Sequence, residues 1–428
     1  MFKHSGNLFA VFFIFLATNQ HILSIDLWLS QQSNTSGKLF KCYFTDSLNG
    51  WTVGDSGTIL NTSNGGTNWN PQTSGLNTFI FDLSFINSQS GWCIASDVNS
   101  FPHPVLLKTT NGGNNWQHYI MPDTNMLLLS CYFKNSLTGW LAGFNGIILK
   151  TSDGGLNWLN VRDSSEFGWH PIWNISSKNT SFAYSCGGTP DYAGVVSKSN
   201  QSGTAWYSQG IAPEPLFKII YSDSLNGFAV GGDFEYGASI VRTTNGGTNW
   251  YYENLGFFGF PRSFAYRTPN ELWMVLGFGR TWGISTNSGY NWYQAATTDS
   301  VLLNDVFFAD NRHGWAVGDN GAILKYNSDI IGIHISGNET PDKFNLRQNY
   351  PNPFNSSTII EYYIDKPSRV KLILYDAAGR QVKIIFDEFM EPGLQKISLD
   401  TGNFASGIYF YNLIAGKSTS TRKLVIVK

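Results

Sequence analysis

An eight-residue string of the form T/S-x-N/D-x-G-x-x-W limits the possible folds of this chain more than any other feature. A second string, G-W-x-V-G or a variant of it, precedes each copy and occurs once more at residues 314–318. A period in the forties with four short β-type runs per unit is typical of a propeller whose repeats are four-stranded blades. The sequence therefore predicts seven blades. The copies lie 42 to 48 residues apart and end at Trp69, Trp116, Trp158, Trp206, Trp250 and Trp292.

The two ends of the repeat region complement each other. The seventh unit stops near Tyr326 without the strand that carries the last tryptophan. Trp28 begins a segment that matches the one following the first copy of the string. Residues 28–33 are therefore predicted to form the fourth strand of the last blade, which closes the ring and removes an exposed sheet edge.

The repeated string, here called the box, is predicted to be structural. It lies between the third and fourth strands, where an Asn or Asp accepts backbone hydrogen bonds, a Gly adopts positive φ and the Trp fastens the hairpin between sheets. In the fourth box Gln201 replaces the Asn or Asp, so a weaker turn is expected there. The predicted structural residues are Asn64, Gly66, Trp69, Asn111, Gly113, Trp116, Asp153, Gly155, Trp158, Asn245, Gly247, Trp250, Asn287, Gly289 and Trp292.

These boxes resemble the Asp-box, or BNR-like, repeats of sialidases. Together with the strings of the type GWAVGDNGAILK, they are closer to the repeats of the photosystem II stability/assembly factor-like family. The resemblance covers residues 28–328 and implies a propeller, but it says little about function because propellers serve many roles. In Asp-box proteins the box lies away from the catalytic face. No photosynthetic role follows, because the C-terminal segment implies a different setting.

Composition agrees with an all-β protein. Aromatic residues make up 15% of the chain, charged residues 14%, and there are 44 glycines, which excludes a disordered chain and a coiled coil. The net charge of −2 gives no reason to expect a nucleic acid partner. Residues 1–343 carry −6 and residues 344–428 carry +4, which indicates two regions of different character.

Residues 331–343 interrupt the repeats and are predicted to be a linker. In residues 344–428, alternating apolar runs separated by short turns predict a small immunoglobulin-like β-sandwich. The segment resembles the type A C-terminal sorting domain of the type IX secretion system, with motifs that occur in the family's order and cover the whole segment. The matching positions include Pro351, Asn352, Pro353, Phe354, Asp376, Gly379, Arg380, Gly407, Tyr409 and Lys423.

The resemblance implies that the type IX secretion machinery is a partner of this domain. It also implies release to the cell surface or medium, cleavage of the domain there, and a Bacteroidota-like host. At the other end, Lys3 and His4 precede an apolar run from Leu8 to Ala17, which predicts a signal peptide over residues 1–24. The propeller is then expected to span residues 25–330. No other segment is apolar and long enough to be transmembrane.

The sequence contains no motif for catalysis, nucleotide binding or metal binding, and no cofactor is predicted. The seven histidines do not cluster at metal-ligand spacing. Cys42, Cys93, Cys131 and Cys186 form no CxxC pair and are expected to be buried, although export leaves a disulfide open.

Any site is expected at the mouth opposite the boxes, formed by the loops between the second and third strands and between blades. The propeller is expected to bind a glycan, peptide or protein there. A sialidase-like glycoside hydrolase is the alternative, although the Phe-Arg-Ile-Pro signature is absent, and a purely structural surface protein is a third. The candidate binding residues are Trp169, His170, Trp173, Tyr192, Tyr236, Arg262, Arg280 and Trp282.

Overall fold

A computed structural model describes most of the chain in two compact units, which divide between residues 331 and 332. The described residues are 27–96, 104–121, 126–177, 181–190, 192–257, 259–277, 279–297, 301–328, 344–346, 349, 352, 354–364, 366–376, 380–400, 402, 404–416 and 418–427. The predicted signal peptide and linker lie outside them, as do Pro351, Pro353 and Gly379.

The first unit contains seven antiparallel four-stranded sheets, as the repeats predicted. Within six of them the strands are adjacent in chain order, so each sheet is one repeat folded as a meander. The strands of blades 1 to 3 are β2 (Leu39–Phe44), β3 (Gly50–Gly54), β4 (Ile59–Thr62), β5 (Asn70–Gln72), β6 (Phe79–Phe85), β7 (Gly91–Ser96), β8 (Val105–Thr109), β9 (Gln117–Ile120), β10 (Leu128–Phe133), β11 (Gly139–Gly143), β12 (Ile148–Thr151) and β13 (Leu159–Asn160).

Blades 4 to 6 continue the series without interruption. Their strands are β14 (Ile172–Ser176), β15 (Tyr184–Thr189), β16 (Ala193–Ser199), β17 (Trp206–Ala212), β18 (Leu216–Tyr221), β19 (Gly227–Asp233), β20 (Gly237–Thr243), β21 (Tyr251–Asn254), β22 (Pro261–Thr268), β23 (Glu271–Leu276), β24 (Thr281–Ser285) and β25 (Tyr293–Ala296).

Blade 7 is completed by the N-terminal strand, which confirms the predicted closure. Its sheet order is β1 (Trp28–Gln31), β28 (Ile323–Tyr326), β27 (Gly314–Gly318) and β26 (Leu303–Phe308). Trp28 lies opposite Tyr326 in the antiparallel pair and stacks on Trp282 of blade 6 at 4.6 Å between ring centres. The first strand of every blade contacts the first strand of each neighbour, so seven innermost strands surround a central channel.

Aromatic stacks between neighbouring blades fill much of the propeller core. The tryptophan of the G-W string lies flat on the aromatic residue that ends the innermost strand of the next blade, as Trp92 does on Phe133 at 3.9 Å. Trp51 on Phe85 and Trp315 on Phe44 repeat this contact. Offset or parallel stacking of this kind adds to the free energy of burying apolar area. The repeats therefore bind each other through the same residue pair in successive blades.

The second unit is a β-sandwich, which confirms the predicted small sandwich. One sheet has the order β29-β30-β33 and the other β32-β31-β34-β35, and apolar side chains from both form a single core. Its strands are β29 (Phe344–Leu346), β30 (Ser357–Ile364), β31 (Ser368–Asp376), β32 (Gln381–Met390), β33 (Gly393–Asp400), β34 (Gly407–Ala415) and β35 (Ser418–Ile426).

Candidate binding site at the channel mouth

A ring of polar side chains lines the central channel. Each innermost strand has a polar residue at the equivalent position, although the strand is otherwise mostly apolar. In the order of the blades these residues are Lys41, Asp82, Ser130, Asn174, Lys218, Ser263 and Asp305.

Neighbouring strands are joined through this ring. The Asp305 carboxylate accepts a hydrogen bond from the backbone N–H of Cys42 at 3.0 Å, and Asp82 accepts one from the N–H of Cys131 at 3.0 Å. Ser130 Oγ likewise accepts the N–H of Ile175 at 3.2 Å. Each acceptor thus satisfies a buried backbone donor of the following blade, which would otherwise cost free energy.

Two positions of the ring carry a lysine, which has no acceptor. Lys218 Nζ lies 3.0 Å from Asp305 Oδ1, and Lys41 Nζ lies 3.9 Å from it. Burial raises the pKa of Asp305, but the two ammonium groups outweigh burial and hold that pKa below its usual value. Burial dominates at Asp82, and the pKa of that carboxyl is raised. The two carboxylates therefore occupy opposite electrostatic environments in one ring.

The residue before each ring position lies at a β-bulge and forms the lip of the channel. Register shifts mark this residue between the first two strands in all seven blades. A bulge leaves the extra residue unpaired and changes the direction of its side chain. The lip residues are Phe40, Phe81, Leu129, Trp173, Phe217, Arg262 and Asn304.

Aromatic rings continue from the lip across blades 3 to 6. Phe217 lies 5.7 Å from Trp173 and 5.3 Å from Phe260, measured between ring centres. Phe144 packs against Trp173 at 5.6 Å, and Phe234, which is 75% exposed, packs against Phe260 at 5.1 Å. We call these five residues the aromatic arc. The Arg262 guanidinium lies 5.8 Å from the Phe260 ring centre, at one side of the arc.

Several predicted mouth residues lie together. Trp169 is exposed and stacks on His170 at 4.1 Å, and Tyr192 lies 5.9 Å from Trp169. Only the histidine of this group is inaccessible: it is 2% exposed, its Nδ1 lies 2.9 Å from Thr189 Oγ1, and burial lowers its pKa. His170 therefore supports the loop instead of facing a ligand.

The remaining candidates are spread over blades 5 and 6. Tyr236 and Arg280 are exposed, and Arg280 adopts positive φ of 49° in the turn before β24. The prediction for Trp282 is wrong: it is 1% exposed and lies between blades 6 and 7 against Trp28 and Trp273. The prediction placed Trp282 in a loop at the mouth, but β24 begins at Thr281, so the Trp282 side chain enters the core.

Sequence reasoning missed Phe40, Phe81, Leu129, Phe217 and Asn304. The polar residue inside each innermost strand was the available signal, because its position marks the bulge and the lip residue directly precedes it. Asn304 is buried and donates from Nδ2 to Leu39 O and to Asp319 Oδ1, both at 2.9 Å. It fastens blade 7 to blade 1 at the lip.

The boxes lie on the opposite face and bond within themselves. In the second box, Thr109 Oγ1 accepts the backbone N–H groups of Gly113 at 2.8 Å and Asn111 at 3.3 Å. Asn111 Oδ1 accepts the N–H of Asn115 at 3.0 Å, and Gly113 has φ of 89°. Four other boxes repeat the two bonds to the first residue, through Thr62, Thr151, Thr243 and Ser285.

The boxes also bond to the preceding blade. Trp51 Nε1 donates to Gly112 O at 3.1 Å, and Trp92 Nε1 donates to Gly154 O at 3.3 Å. Lys108 Nζ donates to the same Gly154 carbonyl at 3.0 Å. A G-W tryptophan and a basic residue therefore both hold the box of the next blade.

A weaker turn was predicted for the fourth box, but backbone N–H groups of this turn bond to a side chain. Asn200, one residue before Gln201, turns its amide oxygen to the backbone N–H groups of Thr204 at 2.9 Å and Ala205 at 3.3 Å. The turn is therefore capped from a neighbouring position.

A tyrosine–glutamate pair, of the kind that the hydrolase alternative requires, joins the outermost strand of blade 5 to the segment that precedes its innermost strand. Tyr252 Oη donates to Glu214 Oε1 at 2.8 Å, and burial together with this carboxylate raises the Tyr252 pKa. Tyr252 lies on the outermost strand of blade 5 and Glu214 is buried. Within the described ranges, no arginine forms a hydrogen bond or ion pair with either residue.

The predicted cysteine environment agrees with the structure. All four thiols are buried and free, and burial raises the pKa of each. The part of the chain that the structure describes holds no group of three or more His, Cys, Asp or Glu residues suited to a metal ion. None of its helices is long and apolar enough to cross a membrane.

The motif residues of the sandwich join its first loop to its last strand. Asn352 Oδ1 accepts the N–H of Val425 at 2.7 Å, and its Nδ2 donates to Lys423 O at 3.3 Å. Phe354 is buried and donates its N–H to Val425 O at 3.1 Å. In two turns, Arg380 Nε donates to Asp376 Oδ2 at 2.8 Å, and Tyr409 Oη donates to Ala405 O at 3.1 Å. Gly407 begins β34 with φ of 158°.

Comparisons with known proteins agree with both units. Residues 21–118 and 74–211 match the family described as photosynthesis system II assembly factor YCF48, and residues 348–427 match the secretion system C-terminal sorting domain. The first unit is thus a seven-bladed propeller of the assembly-factor repeat type. The chain combines a Ycf48-like propeller with a C-terminal sorting domain, as the repeats and motifs predicted.

The photosystem II assembly protein Ycf48 of Thermosynechococcus vestitus is 23% identical over 338 residues, which cover 72% of this chain and 87% of the relative. A Ycf48 lipoprotein of a Synechococcus strain is 30% identical over 32% of this chain and 41% of its own length.

Solved structures show the same fold. "YCF48 bound to D1 peptide" has a TM-score of 0.58 at 21% identity, covering 71% of this chain and 98% of that one. A xyloglucanase of Xanthomonas campestris has a TM-score of 0.55 at 13% identity, covering 70% of this chain and 53% of that one. The sorting domain indicates a secreted or outer-surface protein exported by the type IX secretion machinery.

Proposed function

We propose that this secreted propeller is a binding module that takes up a peptide segment of a partner protein at its channel mouth. The aromatic arc carries the proposal: five aromatic side chains contact one another in sequence, from Phe144 through Trp173, Phe217 and Phe260 to Phe234. Contiguous apolar surface of this kind marks interaction sites, since isolated exposed apolar residues are common but clusters are not.

The chemistry of the arc suits a peptide. Aromatic and arginine side chains are enriched where proteins bind proteins, and they provide most of the binding free energy. Arg262 places a guanidinium group beside Phe260 at the lip. Exposed Trp169, Tyr192 and Tyr236 extend the same face with amphipathic side chains.

A relative supports this ligand class. The solved structure "YCF48 bound to D1 peptide" is of a propeller with the same fold that binds a peptide. The partner of this chain is expected outside the cell, where the sorting domain directs the protein.

The test is selection of a peptide display library on the full chain, followed by titration of the recovered peptides in solution. Trp173→Ala and Phe234→Ala should each weaken binding about 10-fold or more, which is the effect of losing a central aromatic contact. Ile120→Ala is the matched control, because Ile120 is exposed on β9, outside the arc. Peptides that bind both arc variants as tightly as they bind the wild type would refute the mouth as the site.

We also propose that the protein is exported in two steps and that the chain divides into four parts. The apolar run at Leu8–Ala17 supports a signal peptide over residues 1–24, followed by a propeller over 25–330, a linker over 331–343 and the sorting domain over 344–428. Mass spectrometry of the protein recovered from the medium tests this. Mature chains should begin between residues 18 and 25 and end before residue 344, and an uncleaved N-terminus would contradict the signal peptide.

A further inference from the structure

A cavity lies away from the channel, at the junction of blades 4 and 5. Its volume is about 270 Å³. Five aromatic side chains contribute to its wall: Phe182, Tyr184, Tyr207, Tyr221 and Trp250. Lys198 and Gln209 add polar side chains to this lining.

At two other junctions the equivalent space is closed by a glutamine. Gln72, three residues after the box tryptophan of blade 1, accepts a hydrogen bond from Trp116 Nε1 of blade 2 at 3.3 Å and donates to Gly112 O at 2.8 Å. Gln31 of blade 7 accepts Trp69 Nε1 of blade 1 at 3.2 Å in the same way. A glutamine and a box indole therefore pair directly across these junctions.

At the junction of blades 4 and 5 the same two groups are present but do not pair. Gln209 lies three residues after Trp206 and is exposed, and Trp250 is the box tryptophan of the next blade. Among the residues that the structure describes, neither the Gln209 amide nor Trp250 Nε1 forms a hydrogen bond. Both residues line the cavity. The Trp250 indole N–H, which is a donor, and the Gln209 amide, which can both donate and accept, therefore border the same open space.

The cause lies in the sequence of blade 4. Its G-W string is replaced by Ala183-Tyr184, so Tyr184 stands at the position that corresponds to Trp51 of blade 1. The Trp51 indole bonds to the box of the following blade. Lys198 Nζ instead donates to the box carbonyl of Gly246 at 2.8 Å and lies 4.5 Å from the ring centre of Phe182. The lysine is thus occupied in holding the box and does not by itself call for an anionic ligand.

We propose that this cavity binds one pyranose unit of a glycan. A pyranose ring has apolar C–H faces, which pack on aromatic rings, and hydroxyl groups that both accept from an indole N–H and bond with a side-chain amide. Tyr207, which is 67% exposed, provides an accessible ring at the entrance. The volume is below the 300–1,000 Å³ range of sites for drug-sized ligands, which suits a single ring.

The test uses the full chain and methyl pyranosides of glucose, galactose, mannose and N-acetylglucosamine, with binding measured by saturation-transfer NMR and titration. At least one glycoside should bind. Tyr207→Ala and Gln209→Ala should each weaken that binding about 3- to 10-fold, because each removes one contact at an exposed position. Leu159→Ala is the matched control, since Leu159 follows the box tryptophan of blade 3 as Tyr207 does in blade 4 and is 57% exposed.

A third variant tests the cause of the cavity. Tyr184→Trp restores the G-W tryptophan, fills the space and should abolish glycoside binding while the protein remains folded. The proposal would be overturned if none of the four glycosides binds, or if binding is unchanged in both Tyr207→Ala and Gln209→Ala. The Phe234→Ala variant separates the two sites, because it should weaken peptide binding and leave glycoside binding unchanged.

Discussion

The box face and the mouth face of the propeller differ in how far residue types recur from blade to blade. On the box face the same residue types recur from blade to blade, and they bond to one another: a Thr or Ser caps the turn, and an indole or a basic side chain holds the next box. On the mouth face the lip changes from phenylalanine to leucine, arginine and asparagine around the ring, and much of the aromatic surface is solvent-accessible. The repeated residues of the box face pack and bond with one another, whereas the varied residues of the mouth face include exposed groups that a ligand can reach.

The largest effect is expected where the repeated contacts close the ring. Trp28→Ala removes a fully buried indole that packs on Trp273 and Trp282, so the free energy of unfolding should fall by about 3–5 kcal/mol. Denaturant unfolding of the full chain measures the change. A loss below about 1 kcal/mol would show that the N-terminal strand contributes little to the propeller.

Removing a charge from the channel ring should have the next largest effect. Asp305→Asn leaves Lys218 and Lys41 buried without their carboxylate, so about 3 kcal/mol of stability should be lost at pH 7. Because the lysines hold the pKa of Asp305 below its usual value, ionised Asp305 stabilises the fold above about pH 4, and this stabilisation disappears as the pH falls through the lower pKa of the folded state. The difference between wild type and variant should therefore shrink in acid.

Asp82→Asn is the control for this prediction. Burial raises the pKa of Asp82, so the wild-type protein loses stability from this group as the pH rises through that pKa. A neutral amide avoids that loss and should cost less at pH 7 than the substitution of Asp305. Equal losses in both variants at pH 7 and pH 3 would contradict the opposite environments of the two carboxylates.

A smaller effect is expected inside one box. Thr109→Val keeps the shape of the side chain but removes the oxygen that accepts the Gly113 and Asn111 N–H groups, which should cost about 1–2 kcal/mol. Thr110→Val is the matched control, because Thr110 is exposed and its side chain forms no hydrogen bond within the described residues. Thermal unfolding of both variants compares them, and identical melting temperatures would refute a structural role for the hydroxyl.

The smallest stability change is expected on the mouth face. Phe234 is mostly exposed, so Phe234→Ala should change the free energy of unfolding by no more than about 0.5 kcal/mol. The same denaturant measurement applies. A loss above 1 kcal/mol would mean that the aromatic arc packs its own loops, and the contrast between the two faces would then weaken.

The sequence was sufficient for the architecture because each blade repeats the same spacing and because the N-terminal strand supplies the fourth strand that the last repeat lacks. It was less informative for the mouth. Trp282 was predicted at the mouth, yet the strand register directs it into the core. Phe217 looked like an ordinary strand residue, and only the bulge before Lys218 brings it to the lip. Register and bulges depend on the pairing of two strands, which a single segment does not specify.

The closing pair of strands has a consequence for the order of folding. Trp28 pairs with Tyr326, so the ring remains open until nearly the whole propeller sequence is available to fold. Contacts that are this distant in sequence form slowly, because the loop must be closed before the pairing contributes. Until then the edge of β28 is unpaired and can associate with other chains. The ring can therefore close only after β28, the last propeller strand in the chain, is available to pair with β1.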